Sequence, residues 1–297
     1  MNISGWVVYN GTLESDVFLD FANMIEEAGE KQSISIKKFK NNELIPLLTE
    51  DYLLFTEQKG LSLPDFVVFT DKDIYLAKHL ELLGIRLFNT SYAIETSDDK
   101  IKAYQLLAKG NLPIPKTIIS PKIYVKHPNI DYTFLQHVAN ELAFPLIMKE
   151  AFGSFGEQVY LINNKEELFD KVRQLADRPL IFQEFIESSF GKDVRMQVVG
   201  NEVVTAMLRK SKDDFRANIT AGGTMEPYEP SEKEKQLAIK AAKTMKADYA
   251  GVDLLFGPNG EPIICEINAN SHIRNLYNCT GVNAADFIIT HIKNTMK

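Results

Sequence analysis

The sequence predicts an α/β N-terminal domain with a parallel sheet, followed by an α+β region whose sheets are mainly antiparallel. Over roughly the first 95 residues, short apolar runs alternate with amphipathic helical stretches, a pattern typical of parallel β-α-β units. Further along, short turns such as Gly200-Asn201 and Asn259-Gly260 join neighbouring apolar runs and indicate hairpins. We therefore expect one domain over residues 1–96 and a second over residues 97–297.

Composition excludes several classes of protein. The chain has 297 residues, of which 45% are hydrophobic and 25% charged, as in soluble proteins with a sizeable core. Its net charge of −7 argues against a broad nucleic-acid surface. The two cysteines provide no disulfide framework, and neither a signal peptide nor a membrane span is apparent. We expect a cytoplasmic protein without nucleic-acid or membrane partners, and a homo-oligomer is compatible with this composition.

Each element of the first domain follows from a local pattern. Helices that end at Gly29 and Gly84 have glycine at the position that favours a left-handed C-terminal cap. No Gly-x-Gly-x-x-Gly segment follows the first strand, so a dinucleotide-binding domain is not indicated. The predicted strands cover residues 6–9, 33–39, 65–70 and 85–89, and the predicted helices cover residues 17–28 and 72–83.

The second region opens with a helix over residues 100–109, because Asp99 and its polar neighbours favour a helix N-terminus and two prolines follow the helix. A connector bounded by prolines spans residues 121–129. The remaining predicted helices cover residues 134–142, 165–176 and 231–246, and the predicted strands cover residues 145–150, 158–162, 181–186, 194–199, 202–208, 250–256 and 262–268.

The hairpin over residues 249–270 is the strongest candidate for a site. If Asn259-Gly260 forms a two-residue turn, Asp253 faces Glu266, and strand alternation places Asn268 on the same face and Cys265 on the opposite, apolar one. Facing carboxylates repel unless a cation lies between them, and oxygen ligands suit Mg²⁺. The alternatives are a solvated polar face, or a three-residue turn that spoils the facing unless a bulge restores it.

Three further segments have the residue types of a nucleotide site. Lys149 precedes a loop with Gly153 and Gly156, whose amides could cradle phosphates, although a plain glycine-rich turn fits as well. The strand around Glu184 could border an adenine slot, or simply face water. The basic segment 209–218 could clamp a phosphoryl group, or be an ordinary charged loop.

Taken in chain order, these segments resemble the ATP-grasp superfamily, and within it the RimK-like ligases, which add glutamate or related amino acids to a carboxylate. The resemblance extends from about residue 65 to the C-terminus. It implies an ATP-grasp fold of two lobes, with a boundary near 183–193, ATP between the lobes, and the preceding domain bordering the substrate cleft. The matching segments are Lys100, Lys149 and residues 153–156, 183–186, 193–195, 215–218, 250–253 and 266–268.

The resemblance also implies roles for individual residues. Arg216 and Asn218 would be catalytic, and Asp253, Glu266 and Asn268 would bind two Mg²⁺ ions, with Mn²⁺ as a possible substitute. The reaction would pass through an acylphosphate and release ADP and phosphate. Substrates would be ATP with a small amino acid or carboxylate, glutamate-like, or a protein C-terminal tail. The implied ATP-binding residues are Lys100, Lys149, Gly153, Ser154, Gly156, Glu184, Phe185, Ile186, Asp193, Arg195 and Lys210.

One segment departs from the glutamate-adding members. Where they continue with Ser-Pro-Gly after the metal-binding asparagine, this chain has residues 269–275, with His272 and Arg274. We predict that residues 271–275 select the substrate, with Arg274 gripping a carboxylate and His272 contacting the acceptor or helping to deprotonate the amine. Alternatively, Arg274 pairs with a local acid and His272 caps the next helix. The alternative function is a non-catalytic ATP-binding regulatory protein on the same fold.

Overall fold

The structure, a computed structural model, describes residues 3–13, 16–50, 52–56, 60–124, 132–154, 156–219 and 222–297. Most of the predicted connector 121–129, and Phe155 in the glycine loop, lie outside the described residues. The predicted fold class is confirmed, because a parallel sheet comes first and antiparallel sheets follow. Within the described residues, no helix is both long and apolar enough to cross a bilayer.

The first region forms a four-stranded parallel sheet in the order β2-β1-β5-β6. Apolar side chains of α1 cover one face of this sheet, and those of α2 and α3 cover the other. A small hairpin, β3 with β4, is absent from the predicted elements. The elements are β1 (Ser4–Tyr9), α1 (Asp16–Lys31), β2 (Ser35–Lys40), β3 (Ile45–Leu48), β4 (Tyr52–Phe55), β5 (Phe66–Phe69), α2 (Ile74–Leu82), β6 (Arg86–Phe88) and α3 (Ser91–Asp98).

The next part forms a four-stranded sheet in the order β7-β10-β8-β9, in which every pairing is antiparallel. Helices α5 and α6 pack on one face through residues such as Leu135 and Val172, which meet Met148 and Phe182 of the sheet. The elements are α4 (Lys100–Lys109), β7 (Thr117–Ile119), α5 (Phe134–Leu142), β8 (Leu146–Glu150), β9 (Val159–Ile162), α6 (Lys165–Leu175) and β10 (Leu180–Glu184).

The last part forms a five-stranded antiparallel sheet in the order β13-β12-β11-β14-β15. Helices α4 and α7 cover one face of this sheet. Helix α9 instead packs with α1 on the first, parallel sheet. The elements are β11 (Lys192–Val199), β12 (Glu202–Lys210), β13 (Thr224–Pro227), α7 (Glu232–Thr244), β14 (Tyr249–Phe256), β15 (Pro262–Asn268), α8 (Arg274–Thr280) and α9 (Ala284–Thr295).

Asn89, which follows β6, joins the parallel sheet to the β14–β15 hairpin. Its side chain is fully buried and donates hydrogen bonds to the backbone carbonyls of Tyr249 and Ala269, each at 2.8 Å. Its amide oxygen accepts from the backbone N–H of Asp248 at 2.6 Å. One side chain therefore bonds to the start of β14 and to the residue after β15, and so fixes the hairpin relative to the first sheet.

Replacing this amide should destabilise the fold strongly. We expect Asn89→Ala to lower the free energy of unfolding by about 3 kcal/mol or more, because it leaves several buried backbone groups without partners. The matched control is Asn23→Ala, which removes a partly exposed amide that accepts only from Lys38 in the described contacts, and should cost less than about 1 kcal/mol. Urea unfolding measures both values, and equal losses would show that Asn89 does not fix the hairpin.

Candidate active site

The β14–β15 hairpin has Asp253 opposite Glu266, but not through the predicted turn. Gly257 donates its N–H to the carbonyl of Glu261 at 2.7 Å, so the loop has three residues, 258–260. That turn alone would pair Asp253 with Cys265. A bulge between Asp253 and Leu254 shifts the register by one residue and restores the facing of the two carboxylates. The two-residue turn is therefore wrong, and the alternative of a longer turn with a bulge is correct.

The bulge also changes where Cys265 lies. Strand alternation predicts that Cys265 shares the apolar face with Ile267, but as the extra residue of the bulge it lines a cavity on the other face. Burial raises the pKa of its thiol to about 11, so the thiol is protonated at neutral pH. Its backbone carbonyl accepts from the hydroxyl of Tyr104 at 2.6 Å.

A cavity of about 590 Å³ lies among the two antiparallel sheets, the carboxyl ends of β1 and β5, and the loop after β15. The cavity brings together all the predicted site residues except Lys210 and Arg274. Those that line it are Lys100, Lys149, Gly153, Ser154, Gly156, Glu184, Phe185, Ile186, Asp193, Arg195, Arg216, Asn218, Asp253, Glu266, Asn268 and His272.

A buried chain of carboxylates and guanidiniums crosses the five-stranded sheet on its cavity face. Asp253 accepts two hydrogen bonds from Arg195, both at 2.6 Å, and one from Arg209 at 2.9 Å. Arg209 also donates twice to Asp193, at 2.6 and 2.7 Å. Register explains the set, because Asp193 pairs with Arg209 and Arg195 pairs with Asp253 across neighbouring strands.

Burial and the two arginines act on these carboxylates in opposite directions. For Asp253, burial favours the neutral acid, but Arg195 and Arg209 outweigh it and lower the pKa to about 2. Among the described residues, Arg209 is the one arginine that donates hydrogen bonds to Asp193, and the same guanidinium also bonds to Asp253. Burial therefore dominates and raises the pKa of Asp193. Asp253 is the member of the chain that is held firmly as an anion.

Two buried lysines, on α4 and β8, lie near Glu266. The ammonium of Lys100 lies 3.7 Å from a carboxylate oxygen of Glu266 and donates to the carbonyl of Gly153 at 3.2 Å. The Lys149 ammonium lies 5.7 Å from the ring centre of Tyr104. Burial opposes the charge of Lys149, but Tyr104, Cys265 and Glu266 outweigh it and raise its pKa. Lys149 is therefore cationic at neutral pH, and two lysine side chains at this place suit a polyphosphate.

The described ends of the glycine loop are held by cationic side chains. Arg216 donates to the carbonyl of Gly156 at 2.6 Å and forms a two-pronged pair with Asp214. Lys72 donates to the hydroxyl of Ser154 at 3.0 Å. Gly156 has φ +76°, and a Cβ atom there would lie 3.1 Å from the amide nitrogen of Asn218. Glycine at this position lets the loop approach Asn218 closely.

The opposite part of the cavity has the character of an aromatic-base slot. Glu184 accepts from the backbone N–H of Lys116 at 2.7 Å, and Phe185 packs edge-on against Phe215. Ile186 follows at the end of the strand. Further apolar walls come from other strands and loops, namely Pro115, Ile147, Met207 and Leu255.

The structure leaves two of the predicted residues outside this cavity. Lys210 is exposed and pairs with Glu226 at 2.6 Å, because it follows Arg209 on β12 and side chains alternate along a strand. Arg274 donates two hydrogen bonds to Asp20 of α1, at 2.5 and 2.8 Å. Its predicted role in gripping a substrate carboxylate is therefore not supported, and pairing with an acid is what the structure has.

His272 does line the cavity, beside aromatic rings of α1. Its ring meets Phe18 edge-on, with 5.2 Å between ring centres. Burial lowers the pKa of His272, so the ring is neutral near pH 7. The N-cap residue of α8 is Ile273, without a side-chain cap bond, so the alternative in which His272 caps that helix is wrong. Its contact with a substrate stays a prediction.

Several lining residues were not predicted. Arg209 belongs to the basic segment, but the residues chosen from that segment were its neighbour Lys210, Arg216 and Asn218. Asn10 directly follows β1, and Asp71 lies two residues beyond the end of β5. The carboxyl ends of parallel strands are where open α/β sheets bind ligands, and that rule is a signal that points to both residues.

The RimK-like ATP-grasp domain matches residues 97–292. The chain belongs to the RimK-like ATP-grasp family. At this level the predicted ATP-grasp ligase is confirmed, and members of this family use ATP and Mg²⁺.

Individual relatives agree with this assignment. The chain is 34% identical over 223 residues to a probable alpha-L-glutamate ligase of Legionella pneumophila, covering 74% of this chain and 71% of the relative. It is 35% identical over 205 residues to human N-acetylaspartylglutamate synthase A, covering 68% of this chain and about half, 51%, of that protein. A solved structure of the ATP-grasp ligase PsnB, complexed with a precursor variant, Mg and ADP, shares the fold with a TM-score of 0.70 at 18% identity, covering 100% of both chains.

The buried ion chain predicts contrasting effects at adjacent residues. We expect Arg209→Met to lower the free energy of unfolding by about 3–5 kcal/mol, because it leaves Asp193 buried without its cation. Lys210→Met, one residue further on, removes only an exposed pair with Glu226 and should cost less than about 1 kcal/mol. Urea unfolding of both variants at pH 7 tests this contrast, and a mild effect of Arg209→Met would show that the network contributes little to stability.

Proposed function

We propose that this protein is an ATP-dependent carboxylate–amine ligase that forms an amide or peptide bond through an acylphosphate and releases ADP and phosphate. The observation that carries the proposal is the meeting of Lys100 and Lys149 with Glu266 in one cavity that also has an apolar slot. Cations suit the phosphates of ATP, and the slot suits its base. The named relatives support a glutamate-like amino acid as one substrate.

The side chains at the hairpin fit Mg²⁺. Glu266 and Asn268 line the cavity, and the Glu266 side chain is 34% exposed, so carboxylate and amide oxygens are available to a hard cation. Asp253 has both oxygens bonded to guanidiniums, so it would join the metal ligands only if Arg195 or Arg209 moved. Glu266 and Asn268 would hold two Mg²⁺ ions, or Mn²⁺ in their place, and Asp253 would join them once an arginine had moved. Bound Mg²⁺ would neutralise phosphate charge.

The protein's own side chains would favour phosphoryl transfer by position and charge. Lys100 and Lys149 would hold phosphate oxygens, and Arg216 with Asn218, next to the glycine loop, would contact the group in transfer. The γ-phosphoryl group would pass to an oxygen of the substrate carboxylate, with ADP as the leaving group. The amine nitrogen would then bond to the carbonyl carbon while the carbon–oxygen bond to phosphate breaks, and the nitrogen would release a proton.

The acid that is activated belongs to one of two classes in this proposal, a small carboxylate metabolite or the C-terminal carboxyl of a protein. The alternative of a non-catalytic ATP-binding protein has less support, because the charged residues needed for transfer line one cavity together. That alternative predicts nucleotide binding without turnover, so the product assay below distinguishes it from a ligase.

Turnover should release ADP and phosphate in equal amounts, because the site suits transfer of the terminal phosphoryl group. We expect hydroxylamine, a small neutral nucleophile, to trap the activated carboxyl as a hydroxamate. A screen of amino acids, carboxylates and short peptides, read by hydroxamate colour and mass spectrometry, would identify the acid. Release of AMP and pyrophosphate would exclude the acylphosphate route, and nucleotide binding without any product would favour the regulatory alternative.

The two glutamates of the hairpin should differ sharply in importance. We expect Glu266→Gln to lower kcat by about 10²–10³-fold, because the carboxylate that would hold Mg²⁺ near the phosphates is lost. The control Glu261→Gln alters the turn of the same hairpin and should stay within about twofold, since nothing places that side chain at the cavity. Initial rates of ADP release measure both variants, and equal activities would remove Glu266 from the reaction.

A further inference from the structure

Asp71 is a buried carboxylate at the end of the cavity formed by the N-terminal sheet. It follows β5, lines the cavity and is only 7% exposed. Its oxygens accept from the side-chain amide of Asn10 at 3.2 and 3.3 Å and from the backbone N–H of Lys72 at 2.7 Å. All these donors are neutral, and no ion pair within the described ranges includes Asp71.

The neighbouring charges do not neutralise this carboxylate. Asp73 adds a second negative charge nearby, and the ammonium of Lys72 offsets the burial only in part, since it bonds to Asp98 and to the hydroxyl of Ser154. Burial accordingly raises the pKa of Asp71. A buried carboxylate without a cation is costly, and a cationic ligand in the cavity would remove that cost.

A second observation ties Asp71 to the reacting part of the cavity. Asn270 donates from its side-chain amide to the backbone carbonyl of Asp71 at 2.5 Å, and Asn270 is two residues beyond Asn268 at the hairpin. The amide oxygen of Asn270 is shielded from solvent and has no hydrogen-bond partner among the described residues. Asp71 therefore lies beside the end of the strand that carries Glu266.

We propose that Asp71 binds the ammonium group of the amine substrate in the proposed ligase reaction. The carboxylate of Asp71 suits the N–H groups of an amine and would repel a carboxylate. Lys72 also lines the cavity, so opposite charges occur side by side, as they do in an amino acid zwitterion. This inference rests on the proposed ligase function and assigns one substrate to one end of its cavity.

The test distinguishes binding of the amine from activation of the acid. The wild-type protein is given ATP, Mg²⁺ and the acid identified by the hydroxamate screen. The nucleophile is either hydroxylamine or an equimolar mixture of the twenty standard amino acids. We expect Asp71→Asn to lower amide formation about 100-fold while hydroxamate formation stays within about twofold, since hydroxylamine is neutral and needs no anionic anchor. Asp71→Glu keeps the charge and should retain more amide formation than Asp71→Asn.

The matched control is Asp73→Asn. Asp73 caps α2 by accepting from the backbone N–H of Leu76, it does not line the cavity, and asparagine caps helices equally well, so both activities should persist. Equal loss of hydroxamate and amide in a folded Asp71→Asn protein would overturn the proposal, and so would retention of both. Wild-type protein that forms hydroxamate but no amide from the mixture would exclude an amino acid. Absence of hydroxamate in the wild type would instead refute the ligase function.

Discussion

The pairing of Asp253 with the guanidiniums of Arg195 and Arg209 allows the cavity face of the five-stranded sheet to be buried. The adjacent strands β12, β11 and β14 each place charged side chains on this face. Burying those charges would be too costly if they were not paired. The bonds to Arg195 and Arg209 compensate them without any ligand. They also hold Asp253 as an anion. A metal ion at Asp253 would compete with arginines that are themselves suited to phosphate, so metal and nucleotide binding would favour each other.

Charge in the cavity is arranged by position along its length. Lys100 and Lys149 lie near Glu266, whereas the described hydrogen-bond donors to Asp71 are neutral. A polyanionic nucleotide and a cationic amine would therefore be attracted to different parts of the cavity. An acidic protein can therefore have a cavity that suits ATP. The net charge of −7 is that of the whole chain, whereas the lysines are concentrated near Glu266 in the cavity.

Structure that depends on neighbouring residues was predictable from the sequence, whereas strand register and contacts between distant residues were not. The parallel and antiparallel regions follow from local periodicity and turn residues, and the family from an ordered series of short motifs. The bulge at Cys265 adds one residue without any sequence signal, although it decides which face that thiol occupies. The choice of Lys210 in place of Arg209 is a register error of one residue. The pairing of Arg274 with Asp20 joins residues 254 positions apart, which no local pattern reveals.

The last helix has a consequence for how the chain is made. One face of the parallel sheet, built from residues that are synthesised first, is covered partly by Ile288 and Ile292 of α9. During vectorial synthesis on a ribosome, the part of that apolar face that α1 does not cover stays exposed until α9 has emerged. The core of the parallel sheet is therefore complete only after α9 has been synthesised. A nascent chain that stalls shortly before α9 would expose apolar residues to chaperones and proteases.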